Sequence, residues 1–106
     1  MSPVQSWPSA PWRYSTMTPF LSMNYVYVLK SKKDGNCYIG STDNLKRRFV
    51  EHSEGIVQST KNRRPLELVY YEAYKDLKDA RKREHSLKLK SRAYQQLKKR
   101  ITHSVL

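Results

Sequence analysis

Two phenols, a guanidinium and a carboxylate are spaced through this 106-residue chain as Tyr27, Tyr38, Arg48 and Glu84. Arginine presents a fixed planar fork that matches the oxygens of a phosphate. A free phenol, with a pKa near 10, is a poor base at neutral pH, but neighbouring positive charge favours its phenolate form. A carboxylate on a core-facing stripe must find a cation, hydrogen bonds or a metal to offset its desolvation. His52 adds a group that can carry a proton or simply hydrogen-bond its neighbours. Phosphoester chemistry needs an activated water and stabilised phosphoryl oxygens, and these residue types supply parts of both.

The elements that must hold them can be read locally. Tyr25-Val26-Tyr27-Val28-Leu29 and Cys37-Tyr38-Ile39 are rich in aromatic and β-branched residues, as strands are. Between them Asp34-Gly35 marks a hairpin turn, because glycine accepts positive φ without strain. Thr42 or Asp43 can cap the helix that follows. In that helix Leu45, Arg48, Phe49 and His52 fall at i, i+3, i+4 and i+7, so they share one face. Two of the four are apolar, which turns the face inward and carries Arg48 and His52 with it. Gly55 is a C-terminal stop.

The loop from Ile56 to Pro65 is polar and basic, and Lys61, Arg63 and Arg64, helped by the Ser59 and Thr60 hydroxyls, can hold phosphates. The third strand, Leu66 to Glu72, is expected to turn Leu66, Leu68 and Tyr70 one way and Glu67, Val69 and Tyr71 the other. Asp76 caps a second helix running to about Lys90, whose apolar positions Leu77, Ala80 and Leu87 leave one gap, filled by Glu84. Arg81 and Lys88 lie one turn either side, so pattern alone leaves Glu84 open as an ion-pair partner or a ligand. Ser91 begins a last helix with Ala93, Leu97 and Ile101 inward and Lys98, Lys99 and Arg100 outward.

Lys and Arg number 21 against 9 Asp and Glu, a formal charge of +12. A small domain this basic suits a polyanion, nucleic acid before an anionic membrane surface. The single cysteine, Cys37, excludes an internal disulfide and a cysteine-rich zinc site, and fits a reduced thiol in a cytoplasmic protein. No apolar run approaches the roughly 20 residues that span a membrane. Residues 1–22 hold four of the five prolines, both tryptophans and one charge, Arg13. They read as a disordered or loosely docked extension, and Met23 looks like a natural start for a domain over 23–106.

Tyr25-Val26-Tyr27, Tyr38-Ile39-Gly40, Arg48 ten residues after Tyr38, the Arg-Arg-Pro run before the third strand, and Glu84 in Arg81-Lys82-Arg83-Glu84 occur in one order. With these five features the chain resembles the GIY-YIG nuclease superfamily over about residues 24–101. It looks closest to the small stand-alone members, and is similar to the amino-terminal nuclease domain of the DNA-repair excinuclease. The resemblance implies an α+β fold, β-β-α-β-α-α, with a three-stranded antiparallel sheet flanked by helices.

It also implies a divalent-metal-dependent endonuclease acting on DNA, in repair or recombination. Glu84 would ligate a single Mg2+ or Mn2+, and Arg48 would clamp the scissile phosphate. Tyr27 or Tyr38 would orient or deprotonate the water, with Tyr27 favoured as base, and His52 would be a second proton-transfer group. Lys46, Arg47 and the loop residues Ser59, Thr60, Lys61, Arg63 and Arg64 would contact nucleic acid. The alternative is a non-catalytic nucleic-acid-binding protein that keeps the fold. Tyr25 stands in place of the family's first glycine, Ser41 where the repair nucleases carry a lysine, and Gln96 near their late asparagine. Losing that lysine removes a cation that would favour a phenolate.

Overall fold

The computed structural model describes residues 23–106. The expected extension, 1–22, lies outside the described residues. Strands β1 (Asn24–Ser31), β2 (Cys37–Thr42) and β3 (Leu66–Tyr74) form one antiparallel sheet in the order β2-β1-β3. Helix α1 (Leu45–Ser53) follows β2, and α2 (Leu77–Lys88), α3 (Arg92–Arg100) and a short α4 (Thr102–Val105) follow β3. This is the expected α+β order, with one further helical turn at the end. Among the described residues no helix is long and apolar enough to cross a membrane.

Strand alternation sends side chains to opposite faces, and both faces are covered. On one, Val26, Val28 and Ile39 pack with Ala80, Leu87, Tyr94, Leu97 and Ile101 from the α2–α3 side. On the other, Tyr27, Leu29 and Leu66 pack with Tyr38, Leu45, Phe49 and Leu68. The central strand β1 is therefore almost continuously buried, which its run of aromatic and β-branched residues requires.

The pairing of β1 with β3 runs Val28 to Tyr70 and then Leu29 to Leu68, so Val69 is skipped as a β-bulge. One extra residue inverts the alternation beyond it. Leu66 and Leu68 therefore face α1, while Tyr70 packs on the opposite side with the α2–α3 cluster. The expectation that all three share a face fails at this bulge. Leu77 also departs from the expected stripe, being 44% exposed, whereas Ala80 and Leu87 are fully buried. The first helix is capped by neither Thr42 nor Asp43: Asn44 accepts the Arg47 amide, and Thr42 accepts that of Asn44. Asp76 caps α2 as expected, accepting the Lys78 amide at 2.7 Å.

The hairpin turn is joined to the loop before β3 by a buried hydroxyl, by the Lys32 amide, which donates to the Pro65 carbonyl at 2.9 Å, and by an ion pair. Ser31 is fully buried; its Oγ accepts the Lys33 and Asp34 amides and donates to the Arg63 carbonyl at 2.6 Å. Arg63 in turn donates to the Asp34 carboxylate at 2.9 Å, and that bond is the main reason the acid's pKa lies below its usual value. Gly35 holds φ +76° at the turn, where a side chain would be strained. Ser31→Ala leaves two amides and a carbonyl short of their partner, and is expected to cost about 1–3 kcal/mol. Urea unfolding would check it, and a loss within experimental error of zero would show that the hydroxyl does not clamp the loop.

Candidate active site

Tyr27, Tyr38, Arg48 and His52 converge on the α1 face of the sheet. Tyr27 is 2% exposed, and its ring lies against Gly40, its partner across β1 and β2. A Cβ at Gly40 would stand 2.6 Å from Tyr27 Cζ, so only glycine leaves the ring its place. The Tyr27 hydroxyl and His52 Nε2 are 2.8 Å apart, and His52 Nδ1 is 2.7 Å from Thr60 Oγ1. His52 and Thr60 are both fully buried. With its proton on Nδ1, donated to Thr60, the imidazole leaves Nε2 free to accept from the Tyr27 hydroxyl. The Tyr38 and His52 ring centroids are 5.2 Å apart in an edge-on arrangement, and Ser59 Oγ donates to the Tyr38 hydroxyl at 3.4 Å.

The charges explain the resting protonation. Burial pushes the Tyr27 phenol up, Arg48 works against that rise, and the charges of Tyr38 and Glu84 add to it. Burial lowers His52 to about 4, Arg48 pushes the same way, and Glu51 partly opposes them. At neutral pH Tyr27 and His52 are thus a neutral, hydrogen-bonded pair beside a fixed cation. Arg48 is kept charged by the Tyr27 hydroxyl and by Glu51, to whose Oε1 it donates at 3.0 Å.

Glu84 reaches the site from the other side of the sheet. β2 is an edge strand, and residues 37, 39 and 41 alternate away from Tyr38 and Gly40 toward α2. Ser41 Oγ donates to Glu84 Oε1 at 2.6 Å, and Lys88 Nζ lies 2.7 Å from Oε2. Burial works to raise the Glu84 pKa, but the Lys88 and Ser41 hydrogen bonds outweigh it and hold the carboxyl below its usual value. A cleft of about 270 Å³, lined by Asn24, Ser41, Thr42, Asp43, Leu77 and Arg81, opens beside this pair. Among the described residues no group of three or more His, Cys, Asp or Glu is placed to hold a metal. One half-buried carboxylate beside an open cleft fits a hard divalent ion that keeps water and substrate oxygens as its other ligands, and does not fit zinc.

The chain matches the GIY-YIG catalytic domain over residues 23–99. It belongs to the GIY-YIG family. It is 42% identical over 67 residues to a UPF0213 protein of Clostridium perfringens, covering 62% of this chain and 71% of that one. A UPF0213 protein of Syntrophus aciditrophicus is 41% identical over 75 residues, 69% of this chain and 85% of its own. One from Staphylococcus saprophyticus is 37% identical over 73 residues, 68% of this chain and 88% of its own. No solved structure gives a significant match. The GIY-YIG assignment places the chain in a nuclease superfamily, while the UPF0213 designation states no activity.

Within this GIY-YIG domain the residues expected to hold nucleic acid divide. Lys46 is exposed, and Arg47, also exposed, pairs with Asp43 at 3.3 Å. Arg64 is spent on the loop itself, donating to the Lys61 and Ser53 carbonyls, and Arg63 is tied to Asp34. Thr60 points inward to His52 rather than out to a phosphate, because a buried imidazole nitrogen needs a partner more than a surface hydroxyl does. Ser59 sits on Tyr38, and Lys61 has no side-chain hydrogen bond among the described residues. The Ser41–Glu84 contact was absent from the sequence expectations, although strand alternation turns Ser41 toward α2. The Thr60–His52 contact has no sequence signal, since it depends on how the loop folds back.

The depressed His52 carries a stability prediction. An unfolded histidine titrates near 6.5, so between that pH and about 4 the unfolded chain binds a proton that the folded protein refuses. This contribution is fully present above pH 6.5 and is lost as pH falls toward 4, by about 3 kcal/mol. Urea midpoints from pH 7 to 5 should fall for the native protein. They should start lower but run flatter for His52→Gln, and parallel slopes would exclude His52 as their source.

Proposed function

We propose that this protein is a divalent-metal-dependent endonuclease that hydrolyses phosphodiester bonds in DNA, with repair or recombination as its setting. The observation that carries the reading is the Tyr27–His52–Thr60 hydrogen-bond chain beside Arg48, with the Glu84 carboxylate close enough to act on the Tyr27 phenol. A buried phenol needs only one partner to be satisfied, whereas here it has a neutral acceptor behind it and a guanidinium beside it.

Arg48 binds the scissile phosphate with its fork and stabilises the charge that develops there. Tyr27 accepts the proton of the attacking water as its own proton passes to His52 Nε2. Negative charge growing on the phosphate offsets the Arg48 repulsion that keeps His52 neutral at rest. Thr60 holds the imidazole in the tautomer that can accept, and Tyr38, the more exposed phenol, orients the water. Glu84 would hold a Mg2+ or Mn2+ ion, which when bound neutralises phosphoryl oxygens and aids the leaving oxygen. Ser41 aims the carboxylate, and Lys88 would give way to the ion.

A non-catalytic nucleic-acid-binding protein is the second reading, favoured by the Glu84–Lys88 pair, which already satisfies the carboxylate. Cleavage of a panel of labelled duplex, single-stranded and branched DNAs with magnesium or manganese separates the two. Glu84→Ala, Arg48→Ala and Tyr27→Phe are each expected to lower cleavage by about 10²–10³-fold. Glu84→Ala should keep or improve DNA binding, since it removes a negative charge. Cutting that survives Glu84→Ala would reject this mechanism, and binding without cutting by the native protein on every substrate would favour the second reading.

A further inference from the structure

Lys90 and Lys98 converge on one aromatic ring, with their Nζ atoms 5.8 and 5.5 Å from the centroid of Tyr94. Two features of this corner run against local preference. Lys90 has φ +54°, immediately after the last residues of α2, a position that favours glycine because a Cβ is strained there. Its ammonium and that of Lys98 both lie over the Tyr94 ring, so two like charges share one ring. Lys30 adds a third cation, donating to the Val105 carbonyl at 2.6 Å. Among the described residues no carboxylate forms a salt bridge with any of the three. Lys90 and Lys98 border a pocket of about 140 Å³, lined also by Asn36, Cys37, Tyr94 and Val105, the residue whose carbonyl Lys30 holds.

Strain and unpaired like charge together mark a place where an anion supplies the missing partner. The position of the pocket says which anion. Cys37 and Ser41 lie on the same face of β2, four residues apart, a rise of about 13 Å. The pocket therefore sits about 13 Å along that face from the Ser41–Glu84 pair, within the reach of one short stretch of nucleic-acid backbone. Lys88 lies between them on α2.

We propose that the Lys90–Tyr94–Lys98 corner is a phosphate-binding exosite for the backbone of the nucleic acid whose scissile phosphate lies at Arg48. The proposal rests on the reading of this site as acting on nucleic acid. The two ammoniums take adjacent phosphate oxygens, and the Tyr94 ring holds both in place between encounters through its π face. The exosite sets the register of the strand and carries no base specificity.

The test uses the full chain, a short labelled DNA duplex, a chelator to prevent cutting, and salt from about 50 to 200 mM. Lys90→Gly/Lys98→Gln is compared with Lys78→Gln/Lys82→Gln, a charge-matched pair on the outer face of α2. Removing two phosphate contacts should lower the slope of log affinity against log salt by about 1.8, so affinity falls about tenfold less over that range. Lys90→Gly alone should raise the melting temperature while weakening binding, opposite signs that a purely structural lysine would not give.

Equal binding losses for the two double variants would overturn the exosite. So would a polyglutamate peptide that binds through these lysines while DNA does not, since the partner would then be an acidic protein. Cleavage with magnesium keeps the two readings apart. Lysine-dependent binding with no cutting by the native protein would reject the nuclease and leave the exosite standing.

Discussion

Tyr27 imposes the constraint on which the rest of the structure depends. It lies in the central strand, its ring in the core, and its hydroxyl buried with it. A buried hydroxyl without a partner costs several times what an ordinary hydrogen bond returns. His52 answers that cost, and this fixes how α1 sits on the sheet, because the histidine must arrive one turn after Arg48 on the inward side. His52 then needs a partner for its second nitrogen, and Thr60 supplies it from the loop. The loop is held for this by Ser31 and Asp34 at Arg63, by the Lys32 amide at the Pro65 carbonyl and by Arg64 at the Ser53 carbonyl. Packing and the proposed chemistry therefore share one chain of contacts, running from the centre of the sheet to the hairpin turn.

The two halves of the site approach from opposite faces and meet only at the sheet edge. Phenols, guanidinium and imidazole belong to the α1 side, whereas Glu84 belongs to α2. A central strand would separate such groups by the thickness of the sheet. β2 is an edge strand, so Ser41 can face α2 while Tyr38 and Gly40, its neighbours in sequence, face α1. Gly40 serves both halves, since the missing side chain admits the Tyr27 ring at the point where the strand passes between them.

Much of this was legible in the sequence, for reasons that differ by residue. Strand β1, the Asp-Gly turn, Asp76 as a cap and the inward face of α1 follow from local rules that tertiary structure did not override. The five ordered features carried the fold and the α1 side of the site. What local reading did not reach is of two kinds. The bulge at Val69 inverted Tyr70, and nothing local announces a skipped pairing, because it reflects fit between strands rather than the preference of either. Thr60, Arg63 and Arg64 read as phosphate contacts because basic and hydroxylated loops often are. In the structure each also has a partner within the protein, since a loop of ten residues that supports a buried histidine must satisfy its own polar groups.

That last point changes what the net charge means. Arg63 is neutralised by Asp34, and Arg47 and Arg48 share Asp43 and Glu51, so the positive field at the α1 face comes mainly from Lys46, Lys61 and Arg64, whose guanidinium bonds only neutral carbonyls. Exposed lysines on α2 and α3 carry the remainder, on the face from which Glu84 reaches the edge. A phosphate backbone drawn to both faces would cross the edge of β2, where Ser41 and Gly40 stand. At rest Tyr27 is protonated and His52 neutral, with Arg48 the fixed charge beside the pair. An incoming phosphate neutralises Arg48 as seen from His52 and so relieves one of the two effects that hold the imidazole down. On the proposed mechanism, binding would then raise the affinity of His52 for the proton that Tyr27 gives up, and the substrate charge itself would bring the pair closer to transfer.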